Sequence, residues 1–454
     1  MNKKILAIVL CAATTLSILT GCGDTQVTPN EPAQTVVADT FEPKTTESIE
    51  NDKTNKNHGD EHNISLATDS NEFIVNTDYD FSDPYSVQNI TEVLDYVERE
   101  NGDNTDNTIL SETSLNMALS LLLEGANEDT DSYNALIQYL NGANYPATLA
   151  GIRARNNALI SRYIFTGDAN YLSIANSAWF NYGVNPMDNY TNVIGAYYNG
   201  RVQSLDFTNA ESAGIINAWC EGATNGMIPS IITPEVLAQN DGVLINSIYF
   251  NDTWQTAFDE DNCREATFTN ANGSTSTVNM MYQYDVGTYY ESNWAIGFMK
   301  PYANSNLVFV GILPKENTDF AVSDLDIDDL LNNPVYGYEV NIGIPQFRIS
   351  DENHLYNALY ENGLAPAFAS GNNDYTGCLC DVPVSVSDVI QKTYVDVNPE
   401  GTEAAATTAI TVEKTVAPAR DMPTQEIILD RPFVFMIYDT ETHECLFIGK
   451  INNL

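Results

Sequence analysis

Residues Glu400 to Glu413 read Glu-Gly-Thr-Glu-Ala-Ala-Ala-Thr-Thr-Ala-Ile-Thr-Val-Glu, with nothing bulky before Ile410 and no proline from Gly401 to Ala417. Taken by alternate positions, Thr402, Ala404, Ala406, Thr408, Ile410 and Val412 form one face, and Glu403, Ala405, Thr407, Ala409, Thr411 and Glu413 form the other. Successive side chains of an extended strand point to opposite faces, so one row suits a core and the other suits water. The composition alone fits an Ala/Thr-rich linker. A linker separates domains, however, and only a short segment containing the hydrophobic strand Phe433 to Tyr438 lies beyond this one. The stretch is better described as a loop with the pattern of a strand, in a chain whose fold must offer it a sheet.

The rest of the pattern supplies that sheet. Gly242 to Phe250 (GVLINSIYF), Asn306 to Pro314 (NLVFVGILP), Tyr338 to Phe347 (YEVNIGIPQF) and Arg431 to Asp439 (RPFVFMIYD) are β-branched and aromatic runs bounded by turn residues, the signature of strands. Earlier in the chain the period changes. Val87 to Tyr96 carries Val87, Ile90, Val93 and Leu94 at helical spacing, and Ser114 to Leu123 (SLNMALSLLL) is apolar on nearly all sides, which predicts a buried helix. Helices first and strands later predict an α+β fold with a large mixed or antiparallel sheet. No internal repeat interrupts the pattern.

Composition excludes several functions. The 62 acidic residues outnumber the 19 basic ones, and a formal net charge of -43 repels a phosphate backbone, so nucleic acid is not an expected partner. Of seven cysteines, Cys11 and Cys22 fall in the leader. Cys220, Cys263, Cys378, Cys380 and Cys445 remain, an odd number that implies no complete disulfide framework. Cys378 and Cys380 form a lone C-x-C pair without the second pair or nearby histidine that a zinc site needs, so neither metal nor cofactor is expected. His58, His62, His354 and His443 are the only histidines, and none sits in a catalytic motif, which leaves a hydrolase without a triad.

The N-terminus reads as a leader. Lys3 and Lys4 precede an apolar run from Ile5 to Leu19, which ends in Leu19-Thr20-Gly21-Cys22. A short basic region followed by an apolar run below spanning length describes a secretory signal over residues 1–21. The cysteine after Gly21 resembles the lipobox of bacterial lipoproteins, in which the equivalent of Cys22 becomes the lipidated first residue of the mature chain. The expected location is therefore extracytoplasmic, on a bacterial cell membrane or surface, with the lipid anchor as the only membrane contact. Residues 22–80 are rich in Thr, Asn, Asp, Glu, Pro and Lys and predict a polar tether, with the folded domain spanning 81–454.

From Val395 through Thr408 the sequence Val-Asp-Val-Asn-Pro-Glu-Gly-Thr-Glu-Ala-Ala-Ala-Thr-Thr resembles the hinge of an inhibitory serpin, whose pattern is a strand, then Glu-Gly-Thr-Glu, alanines and threonine. The likeness continues in order along the chain. Asn107 to Ser111 and Ser114 resemble the family's shutter segment, and Leu172 to Phe180 its next strand. Ile216, Asn217, Trp219, Thr224, Gly226 and Ile228 come next, with Met227 where lysine is usual. Leu244 to Phe250 with Asn246, then Trp254 and Phe258, resemble the central strand and the tryptophan of the sheet's open end, the breach. Pro301-Tyr302, Leu313-Pro314, Pro345, Phe347, Asp374 to Gly377, Arg431 to Phe435 and Leu446 to Lys450 complete the series. Two positions depart from it: Glu112 replaces a shutter proline, and Gln391 replaces a shutter histidine.

The resemblance implies a serpin fold, with helices around a large central mixed sheet, two further sheets and an exposed reactive loop. It implies a monomeric suicide inhibitor of serine, and also cysteine, endopeptidases rather than an enzyme, hinged at Glu400, Gly401, Thr402, Glu403, Ala404, Ala405, Ala406, Thr407 and Thr408. Counted as in the family, the scissile bond joins Thr415 to Val416, which suits an elastase-like or subtilisin-like target. Cleavage between Lys414 and Thr415 by a trypsin-like enzyme is the alternative. The competing reading of the whole is a non-inhibitory serpin-fold surface binding protein. Bulky, charged or proline residues between Gly401 and Ala409 would favour it, and apart from Glu403 of the family pattern the segment has none.

Overall fold

Ser111 starts the buried helix that the apolar run predicts. Its side chain accepts a hydrogen bond from Ser114 N (3.3 Å), and α2 runs from Glu112 to Glu124 with every residue from Glu112 to Leu123 buried. The computed structural model describes residues 4–14, 73–402 and 422–454, apart from 82–85, 102–105, 144, 165–171, 285, 304, 316–319 and 370–372. Within these, α1 covers Gln88–Asn101, as its spacing predicts, with Ile90, Val93, Leu94 and Val97 facing the core. Four more helices matter here: α3 (Asp131–Gly142), α4 (Leu149–Ile164), α5 (Asp188–Tyr198) and α6 (Ala210–Ala223).

The sheet that organises the molecule has eight strands. In chain order they are β1 (Lys4–Thr14), β2 (Leu172–Asn181), β3 (Arg201–Leu205), β4 (Gly242–Phe250), β5 (Asp252–Thr253), β6 (Phe347–His354), β7 (Val384–Val397) and β8 (Gly401–Thr402). Across the sheet the order is β3-β2-β4-β1-β7-β8-β5, and β6 pairs with β7 as well. One face of β4 (Leu244, Ile248 and Phe250) joins the main core, and Val243 and Ile245 join a second core under α6 with Trp179 and Ile216. Burial on both faces explains why β4 reads as a continuous apolar run rather than an alternating one.

A second sheet of seven strands includes Leu307–Pro314, Phe433–Asp439 and Cys445–Ile451, and a third of four includes Glu339–Pro345 and Thr424–Ile428. All four β-branched runs noted in the sequence are strands, and the α+β architecture with one large mixed sheet and two further sheets is as expected. The predicted run from Tyr338 to Phe347 is divided at Gln346, its first part lying in the third sheet and Phe347 opening β6.

Two features of the N-terminal region differ in position from the sequence expectation. Residues 4–14 of the apolar run, which the sequence reading expects to be an export leader, form β1 at the centre of the large sheet. The polar tether, expected to reach residue 80, gives way earlier: Ile74 N donates to Ala196 O (2.8 Å), Asn76 N to Ser161 Oγ (3.0 Å), and Asn157 Nδ2 to Ile74 O (2.7 Å). Phe73 and Phe81 pack against the main core, which fixes this strap along α4 and α5. On α4, Arg153 pairs with Glu124, Arg155 with Glu444 and Arg162 with Asp439 and Glu441. The five domain cysteines are all unpaired, and the described residues contain no cluster able to hold a metal ion.

Candidate functional site

At the upper end of the large sheet the chain turns from β7 into β8 through Asn398, Pro399 and Glu400. Asn398 builds this turn, its side-chain oxygen accepting from Glu400 N (3.0 Å) and Gly401 N (3.1 Å). Gly401 then pairs with Thr253 and Thr402 with Asp252, while Thr402 also pairs antiparallel with Val397. A β-carbon on Gly401 would lie 2.4 Å from Asp252 O, so only glycine fits between the strands. Glu400 is exposed, whereas Gly401 and Thr402 are buried in the ladder.

An aromatic stack closes this end from below. Trp254 lies flat on Tyr302 (ring centroids 4.6 Å apart, planes at 15°), and its indole N–H donates to Asn398 O (2.9 Å). The Tyr302 and Thr402 hydroxyls share a hydrogen bond of 2.5 Å. Trp254 thus holds the turn and Tyr302 holds the first loop residue. Sequence reasoning placed Tyr302 in a motif without a role, because its partner lies 100 positions away.

Lys300 sits behind the same tryptophan. It is 3% exposed, its ammonium lies 4.2 Å from the centre of the Phe258 ring and 5.0 Å from that of Trp254, and it donates to Thr256 O (2.7 Å) and to Gln283 Oε1. Burial pushes its pKa down from 10.5 to about 7. Nothing in the sequence marks Lys300 as unusual, since burial cannot be read from a single lysine between Met299 and Pro301.

Lower in the sheet, Gln391 and Asn246 face the buried end of α2. Gln391 Oε1 accepts from Ser111 N (2.9 Å) and Gln391 Nε2 donates to Ser111 O (2.9 Å), so one amide side chain ties β7 to the start of α2. An amide offers a donor and an acceptor at once, which is how Gln391 fills a position where the family often has histidine. Asn246 Nδ2 donates to Asn176 Oδ1 (2.9 Å), and Asn176 in turn donates to Tyr198 O (2.9 Å). Among the described residues, Asn246 Oδ1 and Ser114 Oγ have no hydrogen-bond partner. Glu112, also buried, occupies the first turn of α2, where the helix dipole favours a negative charge.

The structure therefore brings Glu400, Gly401, Thr402 and Trp254 together at one end, and Ser111, Ser114, Asn246 and Gln391 together below. Glu403 to Thr408, the bond candidates Lys414, Thr415 and Val416, and Cys22 lie outside the described residues.

The sequence model of the serpins, serine protease inhibitors, matches residues 92–454. The chain belongs to the serpin family. An uncharacterized serpin-like protein from Methanosarcina mazei is 31% identical over 356 residues, covering 76% of this chain and 81% of its own. Horse leukocyte elastase inhibitor is 28% identical, covering 77% of this serpin and 94% of itself. In structure, the native state of the thermophilic serpin tengpin aligns with a TM-score of 0.67 at 26% identity, covering 81% of this chain and 94% of tengpin. Thyroxine-binding globulin complexed with thyroxine shares the fold at a TM-score of 0.66 and 24% identity, with coverage of 81% and 97%. The family contains protease inhibitors such as the leukocyte elastase inhibitor, and the fold is shared by a protein whose structure holds thyroxine.

Proposed function

We propose that this serpin is a suicide inhibitor of endopeptidases, exported as a lipoprotein and held on the cell surface through Cys22. The observation that carries the reading is the hinge: Gly401 and Thr402 already form a short strand between β7 and β5, and the residues after them are small. Continuing that antiparallel register sets Thr408 beside both Gln391 and Asn246, on the core face, where its hydroxyl would meet Asn246 Oδ1, which has no partner among the described residues. The lower site is suited to a threonine that arrives with the loop.

The chemistry rests on that placement. A serine protease attacks the bond after Thr415, its nucleophile becomes esterified to the Thr415 carbonyl, and Val416 leaves with a new amino terminus. The freed loop then enters the sheet, the form of strand addition for which serpins are the general example. Each residue entering exchanges solvated backbone for ladder hydrogen bonds worth about 1 kcal/mol net, so a dozen supply on the order of 10 kcal/mol. The attached protease is carried along before water can release it. A small β-branched residue at the cut favours elastase-like and subtilisin-like targets with shallow pockets, and a trypsin-like enzyme cutting after Lys414 is the second choice.

The test is incubation of the chain lacking its leader with elastase-like, subtilisin-like and trypsin-like proteases. The expected result is an adduct stable in denaturing gels, accompanied by a C-terminal fragment whose mass begins at Val416. A fragment without any adduct would favour a surface binding module built on the same fold.

A further inference from the structure

β1 lies in the same gap as the hinge, directly below it. It pairs parallel with β7 from Lys4 opposite Val384 to Ala13 opposite Tyr394, and parallel with β4 from Leu6 opposite Gly242 to Thr14 opposite Phe250. The hinge fixes what the reactive loop would need. With Thr402 opposite Val397, an antiparallel continuation sets Ala405 opposite Tyr394 and Thr411 opposite Asp388, beyond which β7 carries a bulge. Against β4, the register of Thr402 with Asp252 sets Ala404 opposite Phe250 and Val412 opposite Gly242. The leader occupies the edges of both neighbours over the length the inserted loop requires, from Ala404 to Val412.

The occupant is inserted on both faces. Ile8 is fully buried in the main core, and Ala7 is fully buried in the second core under α6. Its match to the gap is nevertheless incomplete at the lower site. Leu10 holds the register position between Asn246 and Gln391 that the loop would give to Thr408, and Asn246 Oδ1 and Ser114 Oγ remain without partners among the described residues. At that register position the loop would bring a threonine hydroxyl, which can donate to Asn246 Oδ1 and remove the polar cost.

We propose that the uncleaved leader competes with the reactive loop for this gap, so that the precursor is inert and removal of the leader is the activating step. The inference rests on the inhibitor and lipoprotein readings of the chain. Activation is hydrolysis of the Gly21–Cys22 peptide bond by a signal peptidase, with water supplying the hydroxyl to Gly21 and a hydrogen to the Cys22 amine. Precursor that folds before export has a filled sheet and spares the proteases of its own cytoplasm.

The full chain, produced without export, is compared with Ile8→Asp, which puts a carboxylate where the main core would bury it, and with Val9→Pro, which removes a ladder donor in mid-strand. Hydrogen exchange at residues 6–14 of the unaltered chain should be slowed by about 10³-fold or more, and the protection should be lost in both variants. Loop cleavage should then raise the melting temperature of the variants but not of the unaltered chain, and only the variants should yield covalent adducts. Rapid exchange at residues 6–14 of the unaltered chain would overturn the proposal. Equal adduct yields from all three would overturn the competition while leaving the inhibitor reading intact. Absence of both adduct and thermal gain in every chain would overturn the inhibitor reading, and the competition with it.

Discussion

Lys300 shows how much a single residue at the upper end of the sheet can control. Its native pKa of about 7 lies below its ordinary value of 10.5 because burial disfavours the ammonium, although the Phe258 and Trp254 rings and two hydrogen bonds recover part of that cost. Between these two values the unfolded chain holds a proton that the native chain has lost, so stability rises with pH across the interval, and below about pH 7 the full cost applies. At about 1.4 kcal/mol per unit, the whole interval amounts to a few kcal/mol. Denaturant unfolding from pH 6 to pH 10 should show the protein gaining stability relative to its Lys300→Met variant as pH rises above about 7, with the gain levelling off only near pH 10. A constant difference across that range would mean that Lys300 keeps one protonation state in both forms. At the same end of the sheet, Thr402 is fully buried and meets Tyr302 in a hydrogen bond, so the closed sheet has no room there for an arginine side chain. The Thr402→Arg variant should be cut by the target protease without forming an adduct, as denaturing gels would show.

Among the elements, α2 and β7 are joined chiefly through Gln391. The Gln391→Leu variant would leave Ser111 N–H and C=O buried without this partner, a loss of about 2 to 4 kcal/mol that should lower the thermal midpoint by several degrees. A midpoint unchanged within a degree would show that water or a shifted α2 replaces the amide. At this scale the sequence was a good guide where periodicity was strong. α1, α2 and the four apolar strands were legible because burial imposes a period of 3.6 or a continuous β-branched run. β5 and β8 were not, since two residues carry no period and their pairing depends on contacts roughly 150 positions apart. The hinge was legible through its composition, but its partners Tyr302, Asp252 and Thr253 come from other segments and leave no local pattern. The role of Gln391 was visible only as a departure from family usage, because a side chain that can donate and accept gives no sign of which backbone it serves. The leader was read from its apolar run as an export signal, and the same run satisfies a strand buried on both faces. Composition cannot separate the two.

The whole molecule is a sheet with one position open to competition. With the leader removed, cutting the loop should raise the melting temperature by tens of degrees, because the loop then completes the ladder on both β4 and β7 and brings Thr408 to Asn246. Calorimetry on cut and uncut chains measures this directly, and an unchanged transition would show that no energy is stored in the open sheet. The net charge of -43 adds nothing to that store, but it favours encounter with proteases that carry positive surfaces. On α4 the arginines are spent on internal partners, so this helix offers little positive potential for a polyanion to grip.

The direction of β1 has a kinetic consequence. Its C-terminal end, Thr14, leaves the sheet beside the point where Thr402 enters, so loop and leader share one doorway. Exchange between them can proceed stepwise, one rung released for each rung formed, as in branch migration of nucleic acid strands. An empty gap pulls the loop downhill at every step, whereas an occupied one gives a walk of nearly equal rungs. For a chain still carrying its leader, water's attack on the acyl bond outpaces that walk, and the protease is released.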